Sequence, residues 1–294
     1  MSMLETREQA ALPAEINAKF ERLLERLRQL ESVVVAFSGG VDSAFVLKAA
    51  VLALGPDSVL AVTARSPSVP SAEIAGVEAL ASQIGARHEM LDTREFEDPN
   101  YLANPSNRCY FCKSELYSKL APIARARGFD AVINGVNADD LGDYRPGLVA
   151  ADEHDIVAPL ADCGITKAEL RQMAAALGLS VSDKPASPCL SSRVQYGEAI
   201  TPEKLARIDA AEMFLRSLGF RECRVRHHAD LARIELPVAE LARLADASVR
   251  RAIDERLRDL GYRYVTLDLR GFRSGSMNDI LIGPGLRNVG TIGS

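Results

Sequence analysis

The sequence predicts an α/β protein: a doubly wound, mostly parallel sheet with helices on both faces, followed by a smaller α+β domain. Three observations lead there. The β-branched run Val33-Val34-Val35-Ala36-Phe37 reads as a buried strand, and it passes through Ser38-Gly39-Gly40-Val41-Asp42-Ser43 straight into the helical run Ala44-Phe45-Val46-Leu47-Lys48-Ala49-Ala50. Short apolar strands then keep alternating with helical patterns, as expected of a parallel sheet assembled from βα units. Past residue 197 the order changes to helix, strand, strand, helix, strand. The expected domains are residues 1–196 and 197–294, with 197–202 as the linker.

Bulk properties narrow the class. A chain of 294 residues with 47% hydrophobic and 26% charged residues is long enough for about two globular domains. A net charge of −5 argues against a broadly basic nucleic-acid surface. No apolar run approaches the ~20 residues of a membrane span, and residues 1–13 lack the basic-then-apolar order of a signal peptide. The expectation is a cytoplasmic protein without membrane or bulk nucleic-acid partners. Five cysteines, an odd number, fit thiols, metal ligands or catalysis better than a disulfide framework.

Taken in order, residues 14–31 form an amphipathic helix, with Ile16, Phe20, Leu23, Leu24, Leu27 and Leu30 on one face. Next comes the stretch 38–43. Gly39 and Gly40 let the backbone approach an anion, and the following helix offers unsatisfied N–H groups and a positive dipole end, so phosphate is the expected guest. The Gly-Lys-Ser/Thr ending of a Walker A loop is absent; Asp42 and Ser43 stand in its place. The hexapeptide resembles the loop of the PP-loop pyrophosphatases, which cleave ATP between the α and β phosphates. Residues 58–63 read as a second strand, and the loop after it places Arg65 or Ser66 where an open sheet reads a nucleotide. A helix over residues 71–84 capped by Gly85, a strand over 87–91, a helix over 111–127 and a strand over 131–134 complete the pattern.

That fourth strand enters Gly135-Val136-Asn137-Ala138-Asp139-Asp140-Leu141-Gly142-Asp143-Tyr144-Arg145. Its carboxylates suit Mg²⁺ bridged to phosphates, although a polar surface turn has the same composition. A helix over residues 167–177 precedes the segment 183–193, whose Pro185 and Pro188 make it a loop. Beyond the linker the expected elements are helices over 203–218 and 239–260, and strands over 222–227, 232–236 and 264–269.

Cys109-Tyr110-Phe111-Cys112 is a CxxC unit at a helix start, and Cys189 lies in the proline-rich loop. A lone CxxC is a redox pair, half a zinc site or an accident; a zinc ribbon would need a second CxxC. Three cysteines with an open position suit an iron–sulfur cluster that leaves one iron free. Cys189 is either an inert buried thiol or a thiolate activated by Lys184 and Arg193. Cys163 and Cys223 read as packing thiols.

Together, residues 38–43, 107–113 (Asn-Arg-Cys-Tyr-Phe-Cys-Lys), 184–193 (Lys-Pro-Ala-Ser-Pro-Cys-Leu-Ser-Ser-Arg) and 267–275 (Leu-Asp-Leu-Arg-Gly-Phe-Arg-Ser-Gly) resemble the LarE family. These are ATP-dependent sulfur transferases that help make the nickel-pincer nucleotide of lactate racemase. The resemblance implies adenylylation of pyridinium-3,5-biscarboxylic acid mononucleotide, loss of pyrophosphate and sulfur insertion. It implies that Ser38, Gly39, Gly40, Val41 and Ser43 hold ATP phosphates, with Arg65, Ser66 and Gly135 also at the ATP site. Asp42, with Asp140 or Asp143, would place Mg²⁺. Cys189 matches the family's sulfur-delivering cysteine, either sacrificed to dehydroalanine or joined by Cys109 and Cys112 around a four-iron, four-sulfur cluster; the cysteine trio favours the cluster. Arg193, Arg224 and Arg226 are the expected substrate-phosphate ligands, because a guanidinium fork matches phosphate, and Glu212 and Glu235 are candidate metal or substrate contacts. A homo-oligomer is expected.

Competing readings are an NAD synthetase-like or GMP synthetase-like amidating ligase, which needs no thiol, and a tRNA-thiolating enzyme, which the acidic balance disfavours. A non-enzymatic ATP-binding protein would leave Cys189 and the CxxC without a role.

Overall fold

The computed structural model describes residues 12–142 and 145–273. Asp143 and residues 274–275 of the last motif therefore lie outside the described residues. By internal contact the chain divides between Ser187 and Pro188 into two units, each with its own apolar core.

In the first unit the order is α1 (Ala14–Arg28), β1 (Val33–Ala36), α2 (Val41–Leu54), β2 (Val59–Arg65), α3 (Ser71–Ile84), β3 (Arg87–Asp92), α4 (Pro99–Leu102), α5 (Arg108–Arg127), β4 (Ala131–Ile133), α6 (Pro146–Glu153), α7 (Pro159–Asp162) and α8 (Lys167–Ala176). The strands pair in the order β3-β2-β1-β4, all parallel. Side chains of β1 alternate between two cores. Val33 and Val35 join the core built on α1, α2 and α8, while Val34 joins the one built on α5 and α6. A strand covered on both faces must be apolar at every position, which explains the unbroken β-branched run. Helix α2 lacks a polar face for the same reason: it packs against α1, α3 and α8 as well as the sheet, and Phe45, Val46, Leu47, Ala49 and Ala50 are all fully buried.

The strand order creates the site. From β1 the chain moves outward through β2 and β3, then returns to lay β4 on the other side of β1. The connections leaving β1 and β4 therefore diverge at a topological switch point, the crevice where open α/β sheets bind ligands. Residues 38–43 and the loop beginning at Gly135 are those connections.

The second unit contains α9 (Pro202–Ser217), β5 (Arg224–His228), β6 (Leu231–Glu235), α10 (Ala247–Asp259) and β7 (Tyr264–Leu267). β6 pairs antiparallel with β5 and parallel with β7. The division by contact falls inside the proline-rich loop rather than at residue 197, because a Val194–His227 bridge and the buried Arg193 side chain tie that loop's second half to β5 and α9. The continuous helix expected over residues 239–260 is also interrupted. Residues Val238–Ala245 form a 3-10 helix, and Asp246 starts α10 afresh by accepting a hydrogen bond from the Ser248 N–H at 2.7 Å. No helix among the described residues is long and apolar enough to cross a membrane.

Leu47 is fully buried between α2's neighbours. Leu47→Ala is expected to destabilise the first unit by about 2–5 kcal/mol, read from the urea midpoint of its unfolding transition.

Candidate functional site

The stretch after β1 is shaped by its small residues. Gly39 has φ +73°, and a Cβ there would stand 2.8 Å from Val77 Cγ1, so both conformation and space exclude a side chain. Gly40 is the N-cap of α2. The buried Ser43 hydroxyl accepts from the Ser38 N–H at 3.2 Å, lies 3.1 Å from Ser38 Oγ and donates to the Gly40 carbonyl at 3.0 Å. Its hydrogen bonds lace the loop closed. The first-turn N–H groups of α2 have no partner within the helix and carry its positive dipole end, so the loop is built for an anion.

The β4 connection presses onto this turn. A Cβ on Gly135 would lie 2.8 Å from both Asp42 C and Ser43 N, an approach only glycine allows. Asn137, buried just beyond, donates from Nδ2 to Asp42 Oδ1 at 3.2 Å and from its backbone N–H to Asp140 Oδ2 at 3.1 Å. Asp42 Oδ2 accepts from Lys167 Nζ, and the Lys167 N–H reaches Asp139 Oδ2 at 2.8 Å. Asp140 Oδ1 pairs with Arg145 Nη1 at 2.7 Å. Asn137 thus bonds Asp42 through its side chain and Asp140 through its backbone N–H. Sequence reasoning missed both Asn137 and Lys167. The available signal was Lys167 itself, a cation in the first turn of α8 where the helix dipole disfavours positive charge.

Arg65 and Ser66 sit at the carboxyl end of β2, as their positions implied. The Arg65 guanidinium makes a two-point pair with Asp92, at 2.6 and 2.9 Å, and that hydrogen bonding holds the Asp92 carboxyl below its ordinary range. The Ser66 hydroxyl accepts from the Ser68 N–H at 3.1 Å. The Lys184 ammonium, weighed above with Arg193 as one possible activator of Cys189, donates to Glu73 Oε2 at 2.6 Å and to the Gly39 carbonyl at 3.3 Å, while Arg171 grips the Ser182 and Lys184 carbonyls.

In the second unit Cys189 is half-buried and caps the 3-10 turn Leu190–Arg193. Arg193, expected on a substrate phosphate, is fully buried. It donates to both Glu212 oxygens at 2.9 and 3.0 Å, and from Nη1 to the Pro188 and Cys189 carbonyls at 2.6 and 2.9 Å. These bonds hold the backbone of the cysteine segment to α9. Burial pushes the Glu212 carboxyl upward, and the hydrogen bonds and charge of Arg193 overcome it, leaving a net downward shift. Arg226 donates to the Ser192 carbonyl at 2.9 Å and to Glu235 Oε2 at 2.7 Å. The Arg224 guanidinium lies 5.0 Å from the centre of the Phe272 ring. Glu212 and Glu235, considered as metal or substrate contacts, are both fully buried against arginines.

Cys109 and Cys112 lie in the first two turns of α5, the former exposed and the latter half-buried. Among the described residues no group of three His, Cys, Asp or Glu side chains gathers as a metal site. Two Asp carboxylates beside a phosphate loop nonetheless match Mg²⁺, which takes one or two carboxylates and completes its shell with phosphate and water. Cys163 and Cys223 are packing thiols as expected: Cys163 lies against the first core, and burial pushes the Cys223 thiol up to about 12. Iodoacetamide at pH 8 is therefore expected to label Cys109 on the native protein and to spare Cys223 until denaturant is added, read by peptide mass spectrometry.

The NAD synthase family profile matches residues 15–100, from α1 into the start of α4. An uncharacterized protein of Synechocystis sp. is 48% identical over 90% of this chain and 99% of its own length. The pyridinium-3,5-bisthiocarboxylic acid mononucleotide synthase of Lactiplantibacillus plantarum is 41% identical over 91% of this chain and 96% of its own. A more distant uncharacterized protein of Methanocaldococcus jannaschii is 27% identical over 87% of this chain and 96% of its own. Near-complete coverage at that identity, joined to a phosphate loop at the switch point of a parallel sheet, shows that the chain belongs to the LarE family of PP-loop, ATP-dependent sulfur transferases.

Proposed function

We propose that this protein adenylylates a carboxylate of pyridinium-3,5-biscarboxylic acid mononucleotide at residues 38–43 and converts it to the thiocarboxylate with sulfur delivered at Cys189. The observation that carries the reading is the junction of the Gly39–Gly40 turn with the Asn137–Asp140 loop at the end of β1 and β4. Amides of Gly39, Gly40 and Val41 and the hydroxyls of Ser38 and Ser43 hold the ATP phosphates; Gly135 allows the approach, and Arg65 and Ser66 flank the nucleotide. Asp42 and Asp140 would hold Mg²⁺, with Asp143 a further candidate, and the ion would neutralise the phosphate charge. Lys167, poised on Asp42, supports the same charge balance.

In the first step a substrate carboxylate oxygen attacks the α-phosphorus, and the bond to the bridging oxygen breaks as pyrophosphate leaves. In the sacrificial route the Cys189 sulfur then attacks the acyl carbon and AMP departs, giving a thioester; the Cα proton is lost and the Cβ–S bond breaks, releasing the thiocarboxylate and leaving dehydroalanine at position 189. In the other route Cys109, Cys112 and Cys189 would hold a four-iron, four-sulfur cluster, whose chemistry would be to carry exogenous sulfide; the CxxC favours this route. Arg224 and Arg226 take the mononucleotide phosphate, with Arg193 adding charge from behind while it braces the cysteine segment. Cytoplasmic residence and a homo-oligomer belong to the same proposal, tested by fractionation and light scattering.

Cys189→Ala is expected to lower thiocarboxylate formation by more than about 100-fold while substrate-dependent pyrophosphate release persists. Undiminished sulfur transfer would overturn the assignment, and product formation from ammonium would favour an amidating ligase. Iron and sulfide analysis after anaerobic purification, with intact mass across one turnover, separates the routes: loss of one H₂S from the chain marks the sacrificial one. Gly135→Ala, which drives a Cβ into the first turn of α2, is expected to raise the KM for ATP about tenfold or more.

A further inference from the structure

We propose that Lys184 is a positioning residue for the phosphate loop, holding the Gly39–Gly40 peptide in the orientation that turns the Gly40 N–H toward bound phosphate. The inference rests on the ATP reading above and concerns how the loop keeps its anion-binding form. A peptide between two glycines is the easiest in the chain to flip, since no Cβ on either side resists the rotation. Flipping would aim a carbonyl oxygen, rather than an N–H, at the anion. In a trans peptide the C=O and the following N–H point in opposite directions, so whatever holds one aims the other. The Gly39 carbonyl is held by Lys184 Nζ at 3.3 Å.

The lysine is itself fixed. Glu73, in the first turn of α3, pairs with its ammonium at 2.6 Å, and Arg171 binds the Lys184 carbonyl at 2.9 Å. A pocket of about 230 Å³ borders the loop, lined by Gly39, Glu73, Gly76, Val77, Gln83 and Lys184. Beside that pocket the Lys184 contact braces the Gly39 carbonyl. An ammonium on a carbonyl is a charge-assisted bond, stronger than a neutral one.

The test is binding of Mg²⁺-pyrophosphate and of adenosine to the full chain by titration calorimetry, with thermal melting as a control. Lys184→Met should weaken pyrophosphate about tenfold and leave adenosine binding unchanged; Lys184→Arg should restore most of the loss; Glu73→Gln should show a smaller loss in the same direction. Unchanged pyrophosphate binding in Lys184→Met, or equal weakening of both ligands, would overturn the proposal, the second outcome marking a purely structural lysine. If Lys184→Met does not fold, Glu73→Gln and Lys184→Arg carry the same comparison. A wild-type chain that binds neither ATP nor pyrophosphate would instead overturn the ATP reading, and this inference with it.

Discussion

The first unit depends on one close approach: the backbone at Gly135 lies against the backbone of Asp42 and Ser43, where no side chain fits between them. The contact exists because β4 returns to pair beside β1, so two chain exits diverge from one edge of a parallel sheet. A helix N-terminus alone attracts an anion weakly and without selectivity. Here it is joined by a second loop whose Asn137 side chain bonds Asp42 and whose Asn137 N–H bonds Asp140, so acceptors for a cation gather beside the anion-binding turn. The two glycines of the phosphate turn and the glycine of the neighbouring loop serve the same end, since each removes a Cβ that would separate backbone from ligand or backbone from backbone.

Charge around this contact is closely balanced. Asp42 is paired with Lys167 and Asp140 with Arg145, and Lys184 with Glu73. Partly buried charges persist only when paired and hydrogen-bonded, so these pairs keep the site polar without unpaired ions. They also make it responsive. In the proposed ATP reading a Mg²⁺-nucleotide would offer Asp42 and Lys167 new partners of the right sign, exchanging one set of ion pairs for another.

The second unit solves a different problem, which is how to hold a cysteine on a segment with two prolines and little regular structure. Arg193 answers it from within the core, bridging Glu212 on α9 to the carbonyls of Pro188 and Cys189. Burying such a pair yields little net stability against an apolar substitute, but removing one partner typically costs about 3–5 kcal/mol. The pair therefore acts as a geometric specification, locking the backbone of the sulfur-bearing residue in place. Arg226 reinforces it through the Ser192 carbonyl.

Much of this was legible in the chain itself. The β-branched run, the glycine turn and the alternation of strand and helix are local patterns, and local backbone preference and burial on both faces suffice to make them readable. Cys189, the CxxC and the carboxylate loop stand out by residue type and spacing alone, and the chemistry assigned to them belongs to the proposed function. The break in the single helix expected over residues 239–260 was not legible, since the capping geometry of Asp246 outweighs the run's helical period. Nor were the partnerships. Arg193 pairs with Glu212 inside the second unit, and Lys184 reaches the Gly39 carbonyl, neither of which the sequence pattern announces. Sequence states which groups are present and what each is able to bind. Which of them meet depends on strand order and loop packing, because a long cationic side chain has several competing acceptors within reach, and only the folded chain selects among them.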